Sequence, residues 1–163
     1  MIKQARRIQQ ALSKEEINEV LLRNSSGVLS LIDENGNPYG VPLNYVFVKN
    51  KLIFHTLKIG YKIDLINKNE NCAFTIIDKD DIVEKDYTSL YQSVIIQGTI
   101  KVISDPQLII GYINSFTDKF VHNDNLDERS KIIERTMNRL VILELTINQI
   151  SGKKALDLVN KEN

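Results

Sequence analysis

The chain has 163 residues, which is the length of a single domain, and its 42% hydrophobic and 26% charged residues are typical of a globular protein. Lysine plus arginine and aspartate plus glutamate each number 21, so the formal net charge is zero. A general nucleic-acid binder is usually basic, and this balance disfavours that class. The single cysteine excludes a disulfide framework and a cysteine-based zinc site within one chain.

The sequence shows no segment for export or membrane insertion. No apolar run of signal-peptide type opens the chain, and no stretch of about 18 apolar residues occurs in it. We therefore predict a cytoplasmic protein without a membrane span. No linker rich in proline, glycine or serine divides the sequence, which predicts one domain over residues 1–163. Residues 1–12 are basic and weakly periodic, and predict an arm that is either flexible or packed on a partner.

The first third of the chain predicts one helix followed by three antiparallel strands. Ser13 and Glu16 fit a capping box at the start of the helix. The dipeptide Asn35-Gly36 is a strong hairpin signal. Pro42 cannot donate to a ladder, so its strand should lie at a sheet edge or be irregular at that point. The helix is predicted over residues 13–24, and the strands over 28–33, 39–48 and 51–56.

The remainder predicts more strands and helices around a polar excursion at residues 78–91, and long ordered excursions are often functional. Gly98 suggests a bend or bulge in its strand. Asp105 and Pro106 suit the N-cap and the first position of a helix. Because hairpins link the early strands, we expect a mainly β fold, a small antiparallel barrel with helices at its ends. Helices are predicted over residues 60–69, 105–120 and 129–138, and strands over 73–77, 92–104 and 140–147, followed by a short strand and a last helical turn.

The sequence lacks the signatures of a metal site and of an activated nucleophile. His55 and His122 lie far apart, and neither has a partner at the spacing of H-x-x-x-H or C-x-x-C, so we expect no metal site. The patterns G-x-S-x-G, G-x-x-x-x-G-K-[ST] and G-x-G-x-x-G do not occur. The sequence assigns no catalytic residue.

A strand-to-helix corner in the segment "FHTLKIGYKIDLINKN" collects groups that suit a phosphate monoester. Thr56 offers a hydroxyl, and Lys58 and Lys62 supply positive charge. A helix that begins near Gly60 would present unpaired backbone N–H groups and the positive end of its dipole. The spacing is not unique, so a phosphate site and a solvated turn both stay open here, and Lys58 is the residue that solvation explains most easily.

The segment "PYGVPLNYVFV" offers a second candidate surface. Pro42 leaves the neighbouring strand edge without ladder pairing, and Leu43, Asn44 and Tyr45 follow it directly. Unpaired backbone groups along such an edge can hydrogen-bond a flat heterocycle, while apolar residues cover its ring. A plain proline bulge in an edge strand explains the same residues, and this alternative also stays open.

Several short motifs in order give a more specific indication. "VPLNY", "FHT" and "GYKIDLINKN", followed by "YTSLYQSVIIQGTIKVI" and "ISGKKALDLV", resemble the pyridoxamine 5′-phosphate oxidase-like FMN-binding split barrels. Within that family the sequence looks most like the flavin reductases of the nitroimidazole-resistance (Nim) type. The resemblance covers about residues 28–159. Each motif is weak alone, and their order and spacing carry the likeness.

The resemblance implies a six-stranded split β-barrel that forms a homodimer, with FMN bound at the interface. It implies that "VPLNY" lines the isoalloxazine ring and that the "FHT" corner lies near the ribityl phosphate. His55 also fits a core or capping histidine, and Tyr45 and His55 are the only plausible proton donors near the predicted ring. The cofactor-binding residues that the resemblance implies are Pro42, Leu43, Asn44, Tyr45, His55, Thr56, Lys62 and Ser93.

Three functions follow from these patterns. The first is an FMN-dependent oxidoreductase that passes electrons from NADH or NADPH to a small acceptor such as a nitroaromatic compound. The second is a binding or sensor protein that holds FMN or haem without turnover. The third is a dimeric protein with a degenerate pocket and regulatory contacts. The sequence names no physiological substrate and does not choose between NADH and NADPH.

Overall fold

The computed structural model of the protein describes residues 8–121 and 125–161. His122 and residues 1–7 of the predicted arm lie outside the described residues. The described end of the arm packs on the chain's own sheet: a 3₁₀ turn, Ile8–Gln10, leads into an antiparallel bridge between Ala11 and Lys153. This part of the predicted arm therefore packs on its own chain.

A mainly β architecture with flanking helices is confirmed. The strands are β1 (Ser26–Ile32), β2 (Pro38–Asn44), β3 (Val46–Val48), β4 (Lys51–Leu57), β5 (Asn71–Val83), β6 (Thr88–Ile103) and β7 (Leu140–Lys154). The helices are α1 (Lys14–Arg23), α2 (Tyr61–Lys68), α3 (Pro106–Phe120), α4 (Leu126–Met137) and α5 (Leu156–Lys161). None of the helices in the described ranges is both long and apolar enough to cross a membrane.

The sheet curls strongly because of the order of its strands. That order is β2-β1-β5-β6-β7-β4-β3, and all the pairs are antiparallel. The two edge strands, β2 and β3, are consecutive in the chain, and Tyr45 alone lies between them. The sheet must therefore bend round until both of its edges meet at one point of the chain, and β2 also contacts β4.

The structure has seven strands where the resemblance implied six, because the single strand predicted over residues 39–48 divides at Tyr45. The Tyr45 backbone N–H donates to the carbonyl of Ser25 (3.1 Å). Before this point the chain pairs with β1, and after it the chain pairs with β4. Pro42 lies in β2 at the edge of the sheet, as its missing N–H predicted.

The core has two parts, one on each side of the sheet. The larger part fills the inside of the curl with alternate residues of the strands, and apolar residues of α1 and α2 pack against it. The smaller part lies outside, where Ile53 and Ile142 pack against Ile109 and Phe116 of α3. The outer side of β4 and β7 is thus covered by α3, and α3 limits the access of a ligand to the residues on that side.

Local signals in the sequence predicted several element ends correctly. The Ser13 hydroxyl accepts from the Glu16 N–H (3.2 Å), and the Glu16 carboxylate accepts from the Ser13 N–H (2.6 Å), which confirms the capping box of α1. Asp105 caps α3 and Pro106 is its first residue. The register of β6 against β7 shifts at Gly98, where a Cβ would lie 2.1 Å from the carbonyl oxygen of Thr146, so the predicted bulge is confirmed.

The predicted polar excursion at residues 78–91 is wrong. β5 continues to Val83, a 3₁₀ turn follows, and β6 begins at Thr88, so this segment is the far end of a long β-hairpin. A bulge at Asp78 marks its base, and the carboxylate there accepts two bonds from Arg23 (2.7 and 2.5 Å) and one from Asn24 (2.6 Å). The ribbon beyond the bulge is mostly exposed, so it lacks the apolar alternation that reveals a strand. The last strand is likewise longer than predicted, since β7 runs without interruption to Lys154.

Candidate functional site

Two of the "VPLNY" residues point away from the core. Tyr39, Val41 and Leu43 pack inward, so Pro42 and Asn44 point outward by strand alternation. Both are exposed, and the Asn44 side chain donates to the carbonyl of Ser25 (3.1 Å). They lie on the outer side of the edge strand β2, as a surface contact to a flat ligand requires.

Ser93 lies on the same outer side of the sheet. It pairs with Ile77 of β5, and the neighbouring residues Val94 and Ile76 point into the core. One row of paired residues runs across this side of the sheet from β2 to β6: Pro42 pairs with Val28, Val28 with Thr75, and Thr75 with Ile95. We call this surface the uncovered face, and it consists of Val28, Pro42, Asn44, Thr75, Ile77, Ser93 and Ile95.

The uncovered face is unusually apolar for a solvent-facing surface. Ile77 is 63% exposed and Ile95 is 44% exposed, and Val28 lies between them and Pro42. Exposed aliphatic residues that cluster on one side of a sheet mark a surface for a ligand or another protein. The structure thus brings Pro42, Asn44 and Ser93 together with this apolar patch.

The side chains of Leu43 and Tyr45 point towards the inner core. Leu43 packs against the inner core, and Tyr45 is fully buried. The Tyr45 hydroxyl donates to the carbonyl of Leu21 (2.9 Å), and burial raises the pKa of this hydroxyl. Its ring contacts Phe74 edge-on at 5.4 Å between centroids. The Tyr45 side chain is a core anchor, and its proton is committed to Leu21.

His55 and Thr56 point to opposite sides of β4, as neighbouring strand residues must. The His55 ring stands edge-on to Phe116 of α3, with 4.7 Å between centroids. One side of the imidazole is open to solvent, and the other is desolvated by α3, which lowers its pKa. Thr56 lies on the same side of the strand as Phe54, towards the inside of the curl, and is half-buried.

The predicted strand-to-helix corner is present. β4 ends at Leu57 and α2 begins at Tyr61, with Gly60 as the N-cap at a φ of 145°. Such a φ favours glycine, and Gly60 offers no side chain to cap the helix. The first N–H groups of α2 therefore keep their capacity to bind an acceptor. Lys62 is half-buried in this first turn, and no other described residue bonds to its ammonium group.

The structure adds a residue that sequence reasoning missed. The Lys58 N–H donates to the carbonyl of Arg139 (3.1 Å), because Leu57 pairs with Leu140 at the start of β7. Across residues 8–121 and 125–161, no carboxylate lies within ion-pair distance of Lys58, Lys62 or Arg139. We call Thr56, Lys58, Gly60, Lys62 and Arg139 the cationic corner. Arg139 is 77 residues from Lys62 in sequence, and only the register of β4 against β7 could have identified it.

Several cavities of the described structure, each of about 430–460 Å³, lie away from both halves of the candidate site. Their linings include neither the uncovered-face residues Pro42, Asn44 and Ser93 nor the cationic corner. Within the described ranges no group of three or more histidine, cysteine, aspartate or glutamate residues could hold a metal ion. The chemistry of the candidate site therefore comes from cations, backbone N–H groups and an apolar face.

The sequence profile of the family described as pyridoxamine 5′-phosphate oxidase matches residues 13–154. The chain belongs to this family. The match covers every element from α1 to β7, so the resemblance stated from the motifs is confirmed for nearly the whole described chain. No curated protein matches this family member.

Solved structures show the same fold at low sequence identity. One is a candidate 5-nitroimidazole antibiotic resistance protein from Bacteroides thetaiotaomicron (TM-score 0.75, 19% identity, 88% of this chain and 86% of that chain). Another is an FAD-binding protein from Mesorhizobium loti (0.61, 23%, 90% and 97%). A third is an FAD and haem binding protein from Mycobacterium smegmatis (0.70, 19%, 90% and 73%). At these identities the likeness establishes the fold of this pyridoxamine 5′-phosphate oxidase family member, and its ligand must be argued from its own residues.

We predict that His55 makes the protein less stable in mild acid. Its folded-state pKa lies below the ordinary value of 6.5, so the unfolded chain binds the proton more readily. The free energy of unfolding should therefore fall as the pH drops from 6.5 towards the folded-state pKa. Thermal unfolding at about pH 7.5 and about pH 5.5 should show a larger loss for the wild type than for His55→Gln. Equal losses in the two proteins would show that the imidazole is not desolvated by α3.

Proposed function

We propose that this protein binds FMN and works as an oxidoreductase, passing electrons from a reduced nicotinamide to a small acceptor such as a nitroaromatic compound. The observation that carries the proposal is the cationic corner. Lys58 and Lys62 flank the open N-terminus of α2, the Lys58 backbone bonds to that of Arg139, and no carboxylate of the described chain pairs with any of the three side chains. Unpaired cations at a helix N-terminus favour a dianionic ligand.

The corner matches the phosphate end of a mononucleotide. A phosphate monoester carries up to two negative charges and three acceptor oxygens, and charge-assisted bonds to such oxygens are strong. In this proposal Lys62 and Arg139 bind the phosphate oxygens, and the first N–H groups of α2 and the Thr56 hydroxyl donate further bonds. Gly60 lets the backbone approach closely, because it has no Cβ and nothing else lies within 4 Å of that position. A terminal monoester is the reason that we propose FMN rather than FAD.

The uncovered face matches the ring end. Its exposed aliphatic residues can cover one side of a flat ring system, and Asn44 and Ser93 lie on it as polar groups for the ring edge. Pro42 leaves one backbone position of the free edge of β2 without a donor. FMN, when bound, would supply hydride and single-electron chemistry that side chains lack. The residues of the chain bind and orient the ring.

We assign no side chain as a general acid. The Tyr45 hydroxyl is bonded to Leu21 in the core, and His55 lies on the α3 side of β4, away from the inward-facing Thr56. An electron transfer in which solvent delivers the proton needs no such group. The named ligands of the neighbouring structures, FAD in two cases, and the nitroimidazole resistance of a third support a flavin-dependent reductase.

The function is tested on the protein as purified. We expect it to be yellow, to release FMN on denaturation as identified by mass spectrometry, and to lose its flavin absorbance when NADH or NADPH is added without oxygen. A nitroaromatic acceptor should then restore the absorbance. Flavin that binds but is not reduced by either nicotinamide would favour the binding or sensor protein. A colourless protein that does not take up added FMN would contradict both.

We predict that Lys62→Ala weakens FMN binding by about 1–3 kcal/mol, which is the scale of a charge-assisted hydrogen bond. Flavin fluorescence quenching measures the dissociation constant. Lys68→Ala is the matched control, because Lys68 lies on the same helix but pairs with Glu34 (2.7 Å) at the other end. Equal effects of the two substitutions would mean that the loss is one of general positive charge, and an unchanged affinity in Lys62→Ala would remove Lys62 from the site.

We also propose that the uncovered face pairs two copies of the chain, because its exposed aliphatic residues need a partner surface. Ile95→Glu would place a charge at the centre of this face. We predict that it converts a dimer into monomers, as measured by sedimentation velocity, and that it reduces the flavin content as well. Leu22→Glu is the control, since Leu22 is 54% exposed on α1 and outside the face. A wild type that sediments as a monomer would refute the pairing.

A further inference from the structure

The inner core is left open at one end of the curled sheet. A cavity of about 440 Å³ lies there, between α1, the turn from β3 to β4 and the middle of β7, and we call it the mouth. Ligand pockets often lie in the mouths of β-barrels, and this volume is within the range of small-molecule sites. All but one of the apolar side chains at its base are only half-buried, although they pack on the inner core: Ile17, Leu21, Phe47, Ile147 and Ile150.

One face of α1 forms the first wall of the mouth. Four residues of this helix line the cavity at the spacing i, i+3, i+4 and i+7, which places them on one side of the helix: Lys14, Ile17, Asn18 and Leu21. Lys14 and Asn18 are exposed, whereas Leu21 is buried. The wall therefore has a polar outer end and an apolar inner end.

The bulge in β7 forms the opposite wall. Residues three apart on a regular strand face opposite sides, yet Ile147 and Ile150 both pack on the inner core. They do so because the register shift at Gly98 leaves Asn148 as an extra residue with no partner in β6. Bulges are frequent at the rims of barrels and beside active sites, where they redirect side chains. Here the bulge gives the mouth two aliphatic side chains and the amide of Asn148.

The rim of the mouth carries one cation and several amides. Lys14, Asn18, Asn50 and Asn148 are exposed there. Asn50 is fixed at the rim by the tight turn from β3 to β4, in which it has a φ of 61°. Within residues 8–121 and 125–161, no carboxylate lines the mouth and none lies within ion-pair distance of Lys14. The rim can therefore donate bonds to a ligand that brings acceptor oxygens.

The acidic residues of α1 do not cancel the charge of the rim. Glu16 bonds to Lys154 (2.7 Å), and Glu19 lies 3.8 Å from Arg23. Glu15 is exposed outside the lining, since consecutive residues of a helix point in different directions. A positive rim above an apolar base is the arrangement that suits an amphipathic anion.

We propose that the mouth binds a small apolar carboxylic acid as its carboxylate. The hydrocarbon part lies among the side chains of the base, and the carboxylate accepts bonds from the Lys14 ammonium and the rim amides. The volume of the mouth is about three times that of a cavity of about 150 Å³ that holds benzene, so it suits an acid of about eight carbon atoms. An amine of the same length would bring a second positive charge to Lys14.

The chain's own N-terminal segment is disfavoured as the occupant for the same reason. Residues 1–7 include Lys3, Arg6 and Arg7 and no acidic residue. They would add positive charge to the rim, whereas an organic anion neutralises it.

The mouth is separate from the residues proposed for FMN. It opens on the inner side of the sheet, whereas the uncovered face is the outer side. The cationic corner lies at the other end of the β4–β7 pair: Leu57 pairs with Leu140 beside the corner, and Lys51 pairs with Thr146 beside the mouth. The two sites can therefore be tested independently.

Octanoate is the probe, and octylammonium has the same chain with the opposite charge. Calorimetric titration of the full chain, with and without FMN, measures the binding of both. We expect saturable binding of octanoate and weaker binding of octylammonium by about tenfold or more. Hexanoate should bind about tenfold less tightly than octanoate, because it buries two CH₂ groups fewer. Nuclear Overhauser effects should connect the octanoate chain with Phe47 and Ile147 in the wild type.

Lys14→Glu reverses the charge of the rim. It places an acidic residue in the first turn of α1, where the helix dipole favours one, so the fold should be kept. We expect it to weaken octanoate about fivefold or more and to make octylammonium the tighter ligand. Lys79→Glu is the control with the same charge change, because Lys79 is exposed on β5 and does not line the mouth. Ile17→Trp should fill the mouth and abolish octanoate binding, and melting temperatures show whether each variant is folded.

No saturable binding of octanoate would overturn the proposal. Octylammonium binding as tightly as octanoate to the wild type, or equal effects of Lys14→Glu and Lys79→Glu, would also overturn it. A folded Ile17→Trp protein that still binds octanoate, or Overhauser effects only from residues outside the mouth, would do the same. Overhauser effects between residues 1–7 and Phe47 in the ligand-free protein would identify the N-terminal segment as the occupant instead. Loss of FMN binding alone would overturn the flavin site and leave this one standing.

Discussion

The inward turn of Tyr45 is the constraint on which the rest of the structure depends. Its hydroxyl bonds to Leu21, and the Lys119 ammonium donates to the carbonyls of Asn24 (2.5 Å) and Tyr45 (3.4 Å) from the end of α3. These contacts fix one residue between β2 and β3, and strand alternation then orients both of them. A slip of one residue would turn Pro42 inward and expose the core residues beside it. At the same residue the chain changes from pairing with β1 to pairing with β4, and this change goes with the curl of the sheet.

The strand order explains why the cationic corner comes from distant parts of the chain. β4 and β7 are hydrogen-bonded neighbours in the sheet, and their register brings the Arg139 carbonyl to the Lys58 N–H. No carboxylate of the described residues pairs with the side chains of Lys58, Lys62 or Arg139. Cations without a carboxylate partner near the open N-terminus of a helix leave their charge available to an anion.

Local signals made the fold largely predictable from the sequence, and non-local pairing limited the prediction of the site. The caps at Ser13 and Asp105 and the bulge at Gly98 follow from single residues and their neighbours. The hairpin over residues 78–91 was missed because both faces of its ribbon are exposed. His55 and Thr56 were assigned to one phosphate, although alternation along a strand already predicts opposite sides. The Lys58 N–H bonds to the carbonyl of Arg139, 81 positions away, and no local pattern in the sequence reveals that contact.

The bulge at Gly98 decides which side of the sheet the residues at the end of β7 face. It inserts one extra residue into β7, so Ser93 pairs with Lys153, and Gln92 pairs with Lys154. Lys153 therefore lies on the outer side beside Tyr91, while Lys154 is buried and bonds to Glu16 (2.7 Å). Without the extra residue these two lysines would exchange sides. Lys153 would then turn towards the core and the Glu16 carboxylate would lose its partner, so one backbone irregularity sets the charge on each side of the sheet.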